Sequence, residues 1–213
     1  MAEAMGLRER KKRQTAMRIW RTALDLFIER GFDKVSVAEI AEAAEVSKMT
    51  VFNYFGTKED LVMGPMEEHG DDPARAVRDR EPGESAVDAV RRQFLEMVAS
   101  RDPSVGLHHE PRMSQIRQLL DTTPVLMQRG YVFMMRSTEL LEQALKADGG
   151  DAMTAEIAAA QLIAARNALI GENHRRMLAG DPPDTVAADA VAVANRAFDM
   201  IEDGLGAYGT RLS

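Results

Sequence analysis

Apolar residues recur along most of this chain at intervals of three and four, the spacing of one face of an α-helix. The pattern begins in a helix from about Arg8 to Arg30, which Gly31 is predicted to end. The expected apolar face of this helix carries Met17, Trp20, Leu24 and Phe27. Almost no stretch shows the alternation of a β-strand. The predicted fold class is therefore all-α, with about nine helices.

The other helices are predicted from the same spacing and from Gly, Pro and capping residues at their ends. Their approximate ranges are 37–44, 48–54, 57–68, 86–102, 113–119, 124–148, 152–179 and 185–207. Gly64-Pro65 and the acidic stretch 69–84 interrupt the pattern and are predicted to form a connecting loop. The predicted domains are 1–61 and 62–213.

Start signals mark the short helices between Gly31 and Leu61. Ser36 is followed three residues later by Glu39, the spacing of a capping box, and Ser47 is followed by Thr50 at the same spacing. Residues 44–46 form a three-residue turn between the two helices that these serines open. Two helices joined by so short a turn can place the second one in a major groove of DNA.

The second helix of this pair has an apolar side and a mixed outer side. The apolar residues expected to hold the unit together are Ile40, Ala41, Val46, Val51 and Phe55. The residues left to face outward are Lys48, Met49, Thr50, Asn53 and Tyr54. This mixture is typical of a surface that meets thymine methyls, base edges and phosphates. We expect Lys48 and Asn53 nearest base edges. The residues expected at phosphates are Thr50, Tyr54 and Lys58.

The run VSVAEIAEAAEVSKMTVFNYFGTKEDL resembles the N-terminal domain of the tetracycline-repressor (TetR) family of bacterial regulators. The matching positions are Phe27, Gly31, Phe32, Ser36, Val37, Ile40, Ala41, Ala44, Val46, Ser47, Thr50, Tyr54, Phe55, Lys58 and Leu61. The chain departs from the family pattern at three positions. Glu45 and Met49 stand where the family commonly has glycines, and Phe52 replaces a tyrosine whose hydroxyl meets a phosphate.

The resemblance implies a helical homodimer with a DNA-binding N-terminal domain and a ligand-binding and dimerisation body. The expected partner is a double-stranded, near-palindromic DNA operator, and no cofactor is expected. The residues assigned to DNA binding are Ser36, Val37, Ser47, Lys48, Met49, Thr50, Asn53, Tyr54 and Lys58. The resemblance favours a repressor released by a small ligand. An activator, or a regulator that works without a ligand, is the alternative within the same family.

Composition and charge agree with this interpretation. Of the residues, 29% are charged and 45% hydrophobic, no run is long enough to span a membrane, and there is no cysteine. These features lead us to expect a cytoplasmic protein. Residues 1–60 hold 11 Lys and Arg against 10 Asp and Glu, whereas the whole chain has a net charge of −7. The basic residues cluster as Arg8, Arg10, Lys11, Lys12, Arg13, Arg18 and Arg21, which is the local charge that phosphate contact requires. Without the helix-turn-helix, a solvated and disordered N-terminus would be the simpler explanation.

The last two predicted helices are apolar on several sides, and alanine dominates the segment AEIAAAQLIAARNALIG. A helix of this kind must be buried on several sides. We therefore predict a homodimer whose interface is formed by these helices and includes Ala164 and Phe198. Burial within a single subunit is the alternative.

The predicted body contains methionines and aromatic residues at helical spacing. Because Met adapts to irregular apolar cavities, these residues favour a pocket for an apolar or aromatic small molecule. Core packing is the alternative explanation. The predicted ligand-binding residues are Phe94, Met97, Met127, Tyr131 and Met134.

No combination of residues points strongly to catalysis. The sequence has no nucleophile elbow, phosphate-binding loop or dinucleotide fingerprint. The adjacent residues His108, His109 and Glu110 allow one alternative of a different class, a metal-dependent helical enzyme. Zinc sites need three or four convergent ligands, and adjacent side chains diverge. We therefore predict no catalytic or metal site.

Overall fold

The computed structural model describes residues 6–107, 111–147, 149 and 151–204. Within these ranges the chain forms ten α-helices, one short 3₁₀ helix at Pro103–Val105 and no β-strand, which confirms the all-α class. The helices are α1 (Leu7–Arg30), α2 (Val37–Ala43), α3 (Lys48–Phe55), α4 (Asp60–Glu67), α5 (Asp72–Arg78), α6 (Ala86–Ala99), α7 (Pro111–Thr122), α8 (Pro124–Ala147), α9 (Ala152–Leu178) and α10 (Pro183–Glu202).

Helix α5 lies inside the stretch that the sequence pattern predicted to be a loop. Asp72 and Pro73 occupy its first turn, where an acidic side chain suits the helix dipole and a proline loses no helical hydrogen bond. Ala74 and Val77 are fully buried, so packing stabilises a helix whose composition resembles a loop. The Gly64-Pro65 pair was also predicted to break the chain, yet it lies within α4.

Hydrogen bonds from side chains define several helix starts at the predicted positions. Ser85 accepts a hydrogen bond from the Asp88 N–H at the start of α6. Asp151 accepts from Met153 and Thr154 at the start of α9. Each cap satisfies N–H groups that the first turn of a helix leaves without helical partners.

The chain divides into two compact units. Unit 1 comprises residues 1–67 and 115–130, and unit 2 comprises residues 68–114 and 131–213. The domain limit predicted at residue 61 stays a prediction. In unit 1, α1 packs against α2 and α4, and α2 packs against α3. The buried face of α1 carries Ile19, Ala23, Leu24 and Phe27, whereas Met17, which was predicted on that face, is 40% exposed.

Unit 2 is built around one apolar core. Helix α10 packs against α6 and α9, and the rings of Phe94 and Phe198 meet edge to face at 6.2 Å. Phe198 is fully buried in this core, so its prediction as a dimer-interface residue is wrong. The core also contains Leu141, Leu162, Ile163, Val186, Ala190 and Ala194.

Candidate nucleic-acid interface

Helix α2 begins with the capping box that the sequence predicted. The Ser36 hydroxyl accepts a hydrogen bond from the Glu39 N–H at 3.2 Å, and the Glu39 carboxylate accepts from the Ser36 N–H at 2.8 Å. Arg30, at the end of α1, donates to the same carboxylate at 2.6 Å. The backbone hydrogen bond from Ser36, together with Arg30, lowers the pKa of Glu39 from 4.5 to about 2. The cap thus fixes the start of α2 against the end of α1.

The turn between α2 and α3 has the hydrogen bonds of a Schellman motif. The Val46 N–H donates to the Ala41 carbonyl at 2.9 Å, and the Glu45 N–H donates to the Glu42 carbonyl at 3.0 Å. Glu45 therefore adopts a left-handed conformation with φ of 53°, at a position where glycine is usual. The resemblance had indicated that Glu45 replaces a turn glycine, and the backbone explains why a glycine suits this position.

Helix α3 also begins with its predicted cap. The Ser47 hydroxyl accepts from the Thr50 N–H at 3.0 Å and shares a second hydrogen bond of 2.8 Å with the Thr50 hydroxyl. Val51 is buried and orients the helix against the rest of the unit. The opposite side of α3 therefore faces solvent.

The outward side of α3 carries four exposed side chains, Lys48, Met49, Phe52 and Asn53. Met49 is 68% exposed, so it contributes little to the core. Phe52 is 39% exposed and lies 5.8 Å below the Lys48 ammonium, a distance that permits a cation–π interaction. One helix face thus combines a cation, an amide and an apolar side chain, the groups that can contact a guanine edge, an adenine edge and a thymine methyl.

The three residues predicted to contact phosphates, Thr50, Tyr54 and Lys58, are less exposed than the outward side of α3. Thr50 and Tyr54 are half-buried. The Lys58 ammonium lies 4.2 Å from the Phe32 ring centroid and 5.7 Å from that of Phe27, and burial lowers its pKa. The sequence did not indicate this stacking of Lys58 on two aromatic rings. The DNA contacts of all nine assigned residues stay predictions.

The predicted basic cluster belongs to α1. Arg8, Arg10, Lys11, Lys12 and Arg13 are all exposed, and they lie in the first two turns of the helix. The helical start at Leu7 differs from the disordered N-terminus that we considered as an alternative. These cations are therefore held on a regular scaffold rather than on a loose tail.

An ion-pair network within unit 1 joins α4 to the first turns of α8. The Arg129 guanidinium donates to Glu67 at 2.7 Å and also to Asp60. These hydrogen bonds, led by the one to Glu67, raise the pKa of Arg129 above its ordinary value. The partners are more than sixty residues apart in the sequence, and no local pattern predicts the pairing.

The five predicted ligand-binding residues have different environments. Phe94 and Met97 are buried in the unit 2 core, and Met134 packs against that core. Met127, in unit 1, is 54% exposed, and Tyr131, in unit 2, is 59% exposed. A small cleft in unit 2 involves Phe94 and none of the other four; its remaining lining residues are Leu169, Glu172, Asn173, Arg176, Ala190 and Val193. Ligand binding by the predicted set stays a prediction.

The alternative metal site lies beyond what the structure describes, because His108, His109 and Glu110 fall outside the described residues. Among the residues that are described, no group of three His, Cys, Asp or Glu side chains is arranged to hold a metal ion. In the same part of the chain, no helix has both the length and the apolar character needed to cross a membrane.

A capped pair of short helices, a tight turn and an exposed mixed face on the second helix define a helix-turn-helix protein of the DNA-binding class. The family model described as "Bacterial regulatory proteins, tetR family" matches residues 19–63, which include all of α2 and α3. Residues 19–63 of this chain therefore match the helix-turn-helix domain of that family.

Two relatives named as transcriptional regulators match this chain over part of its length. The HTH-type transcriptional regulator TcmR of Streptomyces glaucescens is 32% identical over 137 residues, which are 63% of this chain and 59% of TcmR. The HTH-type transcriptional repressor Rv3405c of Mycobacterium tuberculosis is 30% identical over 113 residues, covering 52% of this chain and 59% of the repressor. The match thus spans about three fifths of the length of these two relatives.

A structure of SmeT in complex with triclosan shares the fold. Its TM-score is 0.57 at 17% identity, and the match covers 94% of this chain and 98% of SmeT. At this level of identity the likeness establishes the fold alone.

Proposed function

We propose that this protein is a DNA-binding transcriptional regulator that acts as a homodimer, and that it is a repressor released by a small molecule. The observation that carries the proposal is the outward face of α3, where Lys48, Met49 and Asn53 are exposed on a helix that two caps and a Schellman turn hold in place. The names of TcmR and Rv3405c support a role in transcription. We expect the protein to work in the cytoplasm.

In this proposal α3 enters the major groove, and Lys48 and Asn53 read base edges. The N-terminal ends of α2 and α3 approach phosphates through Ser36, Val37 and Ser47, because helix N-termini favour anions. The basic residues at the start of α1 add a contact that depends on charge and not on sequence. Affinity should therefore fall with salt for every duplex, whereas preference among duplexes should depend on α3.

Binding to the intergenic DNA beside the protein's own gene tests this proposal. Fluorescence anisotropy should show tighter binding to that duplex than to a random duplex of equal length, with both affinities falling as salt rises. The double variant Lys11→Ala and Lys12→Ala should weaken both and reduce the salt slope by about 2, roughly 1 for each lost phosphate contact. Equal binding of the parent protein to both duplexes at all salt concentrations would contradict sequence-specific regulation.

Exposed apolar side chains on α9 and α10 support the homodimer. Met153 and Ile157 on α9 are 62% and 51% exposed, and Val191 and Met200 on α10 are 41% and 44% exposed. Ala164, seven residues beyond Ile157 on α9, is also exposed. Met153, Ile157 and Ala164 lie on one face of α9, because they are four and seven residues apart, and a second copy of the chain packed there would bury them. The two-fold symmetry of such a dimer matches a near-palindromic operator.

Light scattering tests the dimer. The parent protein should have about twice the 23.5 kDa mass of one chain. Ala164→Glu should give monomers, because it places a charge in the interface. The matched control, Gln143→Glu on the exposed side of α8, should stay dimeric. A folded monomer of the parent protein would contradict the interface.

Repression and its release form the finer part of the proposal. The word "repressor" in the name of Rv3405c and the presence of triclosan in the SmeT structure support them. A ligand acts in this way only when it binds one conformation of the protein more tightly than another. Transcription in vitro from the bound promoter should fall when the protein is added. A rise would instead identify an activator.

A further inference from the structure

Arg166, in the middle of α9, has a buried guanidinium group. The residue is only 7% exposed, and its Nε has no hydrogen-bond partner. No carboxylate of the described residues lies within 4 Å of it, and its recorded contact is from Nη2 to the Met97 Sδ at 4.0 Å. A buried charge is strongly unfavourable unless it is paired and hydrogen-bonded. The guanidinium therefore has a buried Nε–H donor that is available to an anion, beside an Nη2 whose partner is a weak acceptor.

Two carboxylates, those of Asp72 and Asp102, attract the Arg166 guanidinium electrostatically without contacting it, and each has closer hydrogen-bond partners. Asp72 pairs with Arg75 and lies 3.0 Å from the His69 Nδ1. Asp102 accepts hydrogen bonds from the N–H and the hydroxyl of Ser104. Burial lowers the pKa of Arg166, although both carboxylates oppose the shift. Long-range attraction thus keeps the cation in place without satisfying its donors.

A second donor is directed at the same sulfur atom. The Gln93 Nε2 lies 2.7 Å from the Met97 Sδ, so an amide from α6 and the guanidinium from α9 converge on one thioether. A thioether is a weak acceptor, whereas a carboxylate accepts strongly from both amide and guanidinium donors. Met97 has a flexible, unbranched side chain that can rotate away without breaking a strong interaction.

We propose that Arg166 and Gln93 anchor the carboxylate of an organic acid, which takes the position now filled by the Met97 sulfur. This inference rests on the proposed function, in which unit 2 binds a small effector, and it specifies the chemical class of that effector. The neighbouring core contains Phe94, and Met134 packs against it. These walls favour an acid with an apolar or aromatic body over inorganic phosphate, whose remaining charge would stay unpaired there.

Calorimetric titration with matched probes tests the proposal. The probes are benzoate, naphthalene-2-carboxylate and decanoate, each compared with its uncharged amide. At least one acid should bind the parent protein more tightly than its amide and raise the melting temperature. Arg166→Met should weaken that binding about tenfold or more, because a charge-assisted hydrogen bond is lost. The control Arg175→Met lies on the same helix, where Arg175 is exposed and paired with Glu172, and it should bind like the parent.

The stability of Arg166→Met is a second measurement that needs no ligand. Replacing an unpaired buried charge by an apolar side chain of similar length should leave the melting temperature unchanged or raise it. A marked fall would show that the fold itself uses the charge, and it would overturn the proposal. If the variant does not fold, Gln93→Leu decides: weaker acid binding supports the site, and unchanged affinity overturns it.

Several other outcomes would overturn the carboxylate site. The first is that none of the three acids binds, and the second is that each acid binds no more tightly than its amide. The third is that inorganic phosphate binds the protein as tightly as the acids do. Operator binding is measured without any ligand, so it fails or succeeds independently. A protein that binds an acid through Arg166 but binds no DNA specifically would retain this site and lose the proposed regulatory function.

Discussion

Replacing Glu45 by glycine should stabilise the protein, although the change removes a side chain. Glu45 occupies the left-handed position of the turn between α2 and α3, with φ of 53°, and its side chain is exposed. A left-handed conformation costs an L-residue other than glycine roughly 1–2 kcal/mol. Glycine also raises the entropy of the unfolded chain, which offsets about 0.4–1 kcal/mol of the stability gained by removing this strain. The expected gain is therefore about 0.5–1 kcal/mol.

The matched control is Glu42→Gly, three residues earlier. Glu42 is also an exposed glutamate, but it lies inside α2, where glycine should cost about 1 kcal/mol. The free energy of unfolding should thus rise in Glu45→Gly and fall in Glu42→Gly, and the two variants should differ by roughly 1.5–2 kcal/mol. Arg101 has a similar φ of 56°, but it also pairs with Asp184, so Glu45 is the cleaner position.

Urea unfolding followed by circular dichroism measures both effects, at one fixed protein concentration because dimerisation contributes to stability. The midpoint should rise for Glu45→Gly and fall for Glu42→Gly, with the same slope against urea. If Glu45→Gly is as stable as the parent or less stable, the left-handed strain at this turn does not exist as described.

Two further predictions concern charge and packing. Because the pKa of Glu39 falls from 4.5 to about 2 on folding, its contribution to stability is present above about pH 4.5 and is lost as the pH falls toward 2. Because solvent screens this exposed pair and Gln can also close a capping box, thermal unfolding should show Glu39→Gln modestly below the parent at pH 7 and close to it near pH 2. A difference that is the same at both pH values would contradict the lowered pKa of Glu39. A Cβ on Gly106 would meet the Ile170 oxygen at 2.9 Å at a φ of 82°, whereas Gly83 has a φ of 89° and open space. Gly106→Ala should thus cost about 3 kcal/mol and Gly83→Ala about 1 kcal/mol in the same assay, and equal losses would contradict the close packing.

Local signals in the sequence predicted the features that local physics controls. The caps at Ser36 and Ser47 depend on atoms three residues apart, and the structure has both. The resemblance pointed to Glu45 as the replacement for a turn glycine. These features follow from hydrogen bonds that close within one turn of the chain.

Features that depend on long-range packing were not predictable in the same way. The acidic composition around α5 indicated a loop, and burial of Ala74 and Val77 makes it a helix. Phe198 fits an interface pattern and a core pattern equally well, and only its contact with Phe94 identifies it as core. The Arg129 network joins residues that nothing in the sequence relates.

Selection of bound sequences from a pool of random duplexes tests the central claim most directly. The parent protein should enrich a near-palindrome of two half-sites whose centres are about one helical turn, or a multiple of it, apart. Lys48→Ala should change the preferred base at one position and at its symmetric mate, because the same side chain reads both halves. Two results would contradict reading of DNA by α3. One is that the parent protein enriches no sequence, and the other is that Lys48→Ala and Asn53→Ala both enrich the same sequence as the parent.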